Sequence, residues 1–169
     1  MAIRNIFQGS NPRLRMTAKP VREITPHVLE ILDDMLETLR SAEGVGLAAP
    51  QVGVNRRLVV IEIEDQDPLE LINPEIISQE GEEQRVEGCL SFPGQVGDVI
   101  RPTRVTVRAL DRSGEERTYE GEGLLAQAFA HELDHLDGIL FIDKVVRWRS
   151  DEEPDGEPDA PEEENGSGA

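Results

Sequence analysis

His131, Glu132 and His135 place two imidazoles and a carboxylate within five residues of the run from Ala130 to Gly138. On a helix of about 3.6 residues per turn, side chains four apart point the same way, so both histidines reach one cation. Glu132 lies beside them, close enough to handle a proton on water at that cation. The bland alternative is a solvated acidic helix with two incidental histidines, because the HExxH pattern alone has false positives.

The pattern needs a third ligand. The longer HExxHxxGxxH form matches through Gly138 and then requires a histidine where this chain has Phe141, which excludes that class of site. His27, the remaining histidine, reads better as a surface residue near the start of a helix. Asp143 is an acceptable ligand by type. Cys89, the single cysteine, is the better candidate: in Glu87-Gly-Cys-Leu-Ser91 a glycine precedes it, which lets the backbone bring the sulfur close to a ligand. Its plain alternative is a small buried apolar residue. A lone cysteine also excludes an intramolecular disulfide.

A glycine segment from Gly44 to Gly53 satisfies the dinucleotide pattern through Gly44, Gly46 and Ala49, but its context is wrong. It follows a helix instead of a strand, and Pro50 would interrupt the helix it should open. The glycines instead allow a substrate backbone to lie against the loop, and Gln51 offers an amide N–H to a carbonyl oxygen; a tight structural turn with a surface Gln explains the segment equally well.

These residues need elements to hold them. Thr25-Pro26 reads as an N-cap followed by proline at the first helical position, and Val28, Leu32, Met35 and Leu39 recur at helical spacing, predicting a helix over 26–41. Segments 58–63, 71–73, 76–85, 99–110 and 116–119 read as strands, with a turn at 111–114. A second helix is expected from Gly123 to about Asp137, with Gly138 to stop it. Residues 6–21 read as an extended arm, and 139–146 as an apolar return to the core. On this second helix Leu124, Gln127, Ala128 and His131 share one face, making a pocket wall with Val45 opposite; ordinary core packing explains Leu124 and Ala128 equally well.

With 169 residues the chain fits one domain. Its net charge is −18, and nine of its acids fall in residues 151–169, which hold no Lys or Arg; the rest carries 26 acids against 17 bases, a balance of −9. Such a body is ill suited to charge-driven nucleic-acid binding, although Arg13, Arg15, Lys19 and Arg22 make a local basic patch. We expect residues 1–149 to form the catalytic domain and 150–169 an acidic, disordered tail. No apolar run approaches a membrane span and no signal peptide is evident, so a cytoplasmic protein is expected.

Together, Gly44 to Gln51, Glu87 to Ser91 and His131 to Gly138 resemble the three signature motifs of the peptide deformylase family, in order and approximate spacing. The arm segments Asn11 to Arg15 and Ala18 to Val21 extend the likeness. The resemblance implies an α+β fold, with mixed and antiparallel β-sheets packed around a central metal-binding HExxH helix and a second, N-terminal helix. It implies hydrolysis of the N-formyl group from the formyl-methionine of new polypeptides, with N-formyl-methionyl nascent peptides and transiently the ribosome as partners; the acidic charge balance gives the expectation of no sequence-specific nucleic-acid binding. By the same resemblance Cys89, His131 and His135 would be the metal ligands, Glu132 the general base and then acid, Gln51 and Leu90 the oxyanion donors, and Gly46 a backbone partner of the substrate. One divalent ion is implied, iron(II) in the cell with zinc, nickel or cobalt able to occupy the site, and an iron(II) thiolate centre is expected to lose activity in air. Ala130 departs from the family, which usually has Gln there, so an outer hydrogen bond is missing or supplied elsewhere. The acidic tail does not look like the C-terminal helix that some members use for ribosome docking.

A zinc peptidase with a downstream carboxylate as third ligand is the main rival, and Cys89→Ala separates the two. A non-catalytic binding module of the same fold is the other alternative, disfavoured by the intact Gln51, Cys89, Glu132 and histidines.

Overall fold

The computed structural model describes residues 2–150, so the expected disorder of the acidic tail falls almost wholly outside the described residues. Two helices and eight strands follow in the order α1 (Pro26–Ser41), β1 (Gly46–Ala48), β2 (Leu58–Ile61), β3 (Leu69–Glu80), β4 (Glu83–Gly88), β5 (Val96–Arg101), β6 (Arg104–Leu110), β7 (Glu116–Glu122), α2 (Leu124–Leu136) and β8 (Val145–Arg149). They make a five-stranded sheet in the order β1-β2-β3-β6-β7 and a three-stranded sheet in the order β4-β5-β8.

Helix α1 begins where its cap predicts. The Thr25 hydroxyl accepts the Val28 N–H at 3.3 Å, and Pro26 at the first helical position gives up no hydrogen bond. Its stripe of Val28, Ile31, Leu32, Met35 and Leu39 is buried against Leu47, Leu58, Val60 and Ile72 on one face of the larger sheet. Alternation along β2 sends Val59 and Ile61 to the other face, where Phe129, Leu133 and Leu136 of α2 cover them. The large sheet is thus sandwiched between the two helices. A third cluster, Leu14, Phe92, Val99, Leu140 and Phe141, joins the small sheet to the arm.

Both sheets are antiparallel throughout. Among the described residues the parallel part of the expected mix is confined to an isolated bridge between Lys19 and Arg56.

Several boundaries differ from the sequence reading. Residues 71–73 and 76–80 belong to one strand, β3, because the Asn73-Pro74 interruption is absorbed as a register shift between Ile72 and Glu75. Asn73 takes a left-handed φ of 52° there, and its side chain grips the Val21 backbone N–H and carbonyl at 2.7 and 2.8 Å. Residues 81–82 then turn into β4. The expected strand 99–110 is two, β5 and β6, in different sheets, since Pro102 cannot continue the ladder. The arm contains a 3-10 turn over Pro12–Arg15, and the return to the core ends in β8.

Candidate metal centre

Strand β4 delivers Cys89 just past its end, and α2 delivers both histidines from one face. The Cys89 Sγ and one ring nitrogen from each of His131 and His135 all lie within 4.8 Å of one another. Cys89 Sγ stands 3.3 Å from His135 Nε2. The imidazole of His131 is braced from behind, with Nδ1 2.7 Å from Glu87 Oε2, which leaves Nε2 to face the cluster. His135 Nδ1 and Glu132 Oε2 are buried with no protein partner.

Glu87 is itself held on every side. Arg101 donates to both of its oxygens, at 2.9 and 2.6 Å, and to Asp134 at 2.8 Å, while Gln127 Nε2 donates to Glu87 Oε1 at 3.2 Å. Arg101 is 2% exposed and Glu87 is buried, so their ion pair is shielded from water, while Asp134 keeps a partly exposed edge. Ala130 lines a cavity beside Arg101 and Asp134. The outer bracing of His131 therefore comes from Glu87 and Arg101.

Burial works against an ionised Glu87, yet the hydrogen bonds from His131 and Arg101 outweigh it and hold the carboxyl down at about 2. Burial pushes Glu132 up to about 7. It also opposes a proton on His131, but Glu132, Cys89 and Glu87 reverse the effect and raise that imidazole well above its ordinary range. At His135 burial, reinforced by charge on His131, keeps the ring neutral. One sulfur with two imidazoles is a donor set for a divalent transition metal. The residues fit such an ion.

A cleft of about 380 Å³ opens over these groups. Val45, Gly46, Leu124, Gln127 and Ala128 line it with Cys89, Leu90, His131 and Glu132, so the structure brings these sequence-predicted residues together. Leu124 stands at the rim, 43% exposed. Gln51 is buried behind the cleft; its Oε1 accepts the Ala48 N–H at 3.0 Å, and its Nε2 donates to Ser91 Oγ at 3.1 Å and points at Cys89 Sγ at 3.6 Å. Gly46 packs so closely that a Cβ there would lie 2.8 Å from Glu132 Cγ. The alternative ligands fall elsewhere. Asp143 pairs with Arg15 at 2.6 Å and accepts the Leu140 N–H, and His27 is a surface residue.

Sequence reasoning gave no role to Glu87, Ser91, Arg101, Val86, Phe92 or Val96. Glu87 had a usable signal, because it sits two residues before Cys89 and strand alternation puts both on one side. Arg101 had none, since its partners are 14 and 33 residues away.

A sulfur and two imidazoles beneath a cleft, with a buried carboxylate on the same helix, define a mononuclear metal-dependent hydrolase. The sequence model of polypeptide deformylase matches residues 3–151. The peptide deformylase of Thermoanaerobacter pseudethanolicus is 56% identical over 153 residues, covering 90% of this chain and 96% of that protein. That of Halothermothrix orenii is 57% identical over 148 residues, covering 87% and 96%. The crystal structure of a peptide deformylase from Legionella pneumophila superposes with a TM-score of 0.83 at 46% identity, covering 85% of this chain and 86% of that one. The chain belongs to the polypeptide deformylase family. Its activity is removal of the N-formyl group from the formyl-methionine of newly made polypeptides, with one metal ion and release of formate.

Proposed function

We propose that Cys89, His131 and His135 hold the metal ion, iron(II) in the cell with zinc, nickel or cobalt able to replace it, and that Glu132 moves the protons of formyl hydrolysis. The observation that carries this reading is the convergence of three donor atoms within 4.8 Å below a cleft that Glu132 also lines. A divalent ion supplies Lewis-acid polarisation of the formyl oxygen and acidifies water for attack near neutral pH.

Glu132 takes a proton as the water oxygen bonds to the formyl carbon. When the carbon–nitrogen bond breaks, the same carboxyl returns that proton to the amine nitrogen and formate departs. A group raised to about 7 suits a proton taken and given back near neutral pH. The Gln51 amide and the Leu90 N–H donate to the developing oxyanion, each such donor contributing on the order of 3 kcal/mol. Gln51 is suited to this because Ala48 and Ser91 fix its orientation.

β1 and β4 are terminal strands of their sheets, and both border the cleft. The substrate main chain lies along Gly46 as an added strand, and its methionine side chain enters the apolar space among Val45, Leu124, Gln127 and Ala128. The catalytic unit spans residues 1–149, a reading supported by the family match over 3–151. It acts in the cytoplasm in transient association with the ribosome, where formylated chains are made. Among the described residues no helix is long and apolar enough to cross a membrane.

The test is formate release from a formyl-methionyl dipeptide by anaerobically prepared protein of known metal content. Glu132→Ala should lower the rate about 100- to 10,000-fold, the range for losing a general acid–base. No release from fully loaded wild type would sink the reading. Cys89→Ala should lose the metal, whereas retention with full activity would return the third-ligand role to a carboxylate.

A further inference from the structure

The arginines of this acidic chain are mostly engaged. Arg104, Arg108, Arg112 and Arg117 along β6, β7 and their turn each pair with carboxylates, as do Arg15, Arg40 and Arg57. Arg13, Lys19, Arg22 and Arg56 differ: all are exposed, and none reaches a carboxylate among the described residues. They also share one face. Lys19 and Arg56 are bridged, the Arg57 N–H donates to the Lys19 carbonyl at 2.9 Å, and Arg56 Nη1 donates to the Asn55 carbonyl at 2.9 Å. Lys19, Arg22 and Arg56 line one groove, and Arg13 lines an adjoining hollow that also contains Asn55. Arg13 is held in place by stacking over Phe7 at 5.2 Å. Glu23 is the one acid among the groove residues, so the face keeps a clear positive excess.

We propose that this face docks the enzyme on RNA phosphates, without reading sequence. The proposal rests on the reading that the enzyme works at the ribosome, where the abundant polyanion is RNA. Cations that pair with no described carboxylate and line one groove suit a phosphate chain, to which lysine and arginine supply charge and donors. Among the described residues acids outnumber bases outside this face and are repelled by the same polyanion, so the face also orients the encounter.

The experiment uses the full, metal-loaded chain and a fluorescent RNA hairpin, followed by anisotropy, with co-sedimentation on bacterial ribosomes alongside. Contact with about four phosphates gives a salt slope near −3.6, so affinity should fall roughly 100-fold between about 50 and 200 mM salt. The variant R13Q/K19Q/R22Q/R56Q should lose hairpin binding and co-sedimentation while releasing formate from free dipeptide at the wild-type rate. R13K/R22K/R56K should retain binding. R104Q/R108Q/R112Q/R117Q, with the same change in net charge on another face, should also retain it. Formate release and melting temperature certify folding in each case and report separately on the catalytic reading. Absence of hairpin binding by wild type would overturn the proposal, as would equal loss in the two glutamine variants. Ribosome binding that needs the face while the hairpin does not bind would point to an acidic protein partner instead. Binding that appears only after deletion of residues 151–169 would mean that the acidic C-terminal segment takes the face, which also overturns it.

Discussion

Helices α1 and α2 lie on opposite faces of one sheet and are stabilised by different means. α1 has a side-chain cap, proline in its first turn and one main apolar stripe, with Asp34 as its single buried charge. α2 starts from Gly123 at a φ of 57° with no side-chain cap, and it buries ten of its thirteen residues, three of them ionisable. Helix α1 is thus specified mainly by its own sequence, whereas α2 depends on what packs around it. A helix that carries buried charge needs partners from distant strands, and those partners set the geometry of its reactive groups.

Substitutions separate the two kinds of dependence. Met35→Ala, fully buried on α1, should cost about 2–5 kcal/mol in chemical denaturation, the range for truncating a core methionine. Formate release per folded molecule should be unchanged. A loss of turnover larger than the loss of folded protein would mean that α1 shapes the cleft after all.

Glu87→Gln acts on the other side of the sheet. Removing the charge that braces His131, a proposed ligand, should weaken metal retention roughly 10- to 100-fold, measured by competition with a chelator. Retention equal to wild type would reduce the carboxylate to a fold element.

The smallest effect concerns acid. Burial disfavours an ionised Asp34 on α1, but the Ala2 N–H and Arg4 outweigh it and hold its carboxyl below the ordinary range. With the folded value depressed, its contribution is fully present above the unfolded pKa of about 4 and is lost as pH falls through the folded value. Thermal midpoints taken downward from pH about 5 should therefore fall less steeply in Asp34→Asn than in wild type. Parallel slopes would exclude Asp34 as a source of acid sensitivity.

The same contrast explains what could be read in advance. Thr25, Pro26 and the apolar stripe gave α1 its observed bounds because a cap and a period are local. The two histidines, Cys89 and the glycine loop were legible as types of ligand and loop, and strand alternation would have added Glu87. Arg101 was not legible, because nothing near it in sequence says that it will be buried between carboxylates from β4 and α2. The continuity of β3 through Asn73-Pro74 was hidden for a related reason: the contact that stabilises the kink is with Val21, 52 residues away.

The close approach of Gly46 to Glu132 bears on drug escape. A side chain at position 46 would strike the Glu132 carboxylate stem, so a mutation that removes the glycine disturbs the carboxyl to which we assign the proton transfers. An inhibitor anchored on the Gly46 main chain would therefore meet few viable resistance substitutions there. Contacts with Leu124 at the rim carry no such protection, and resistance to cleft-filling compounds should appear at that position first.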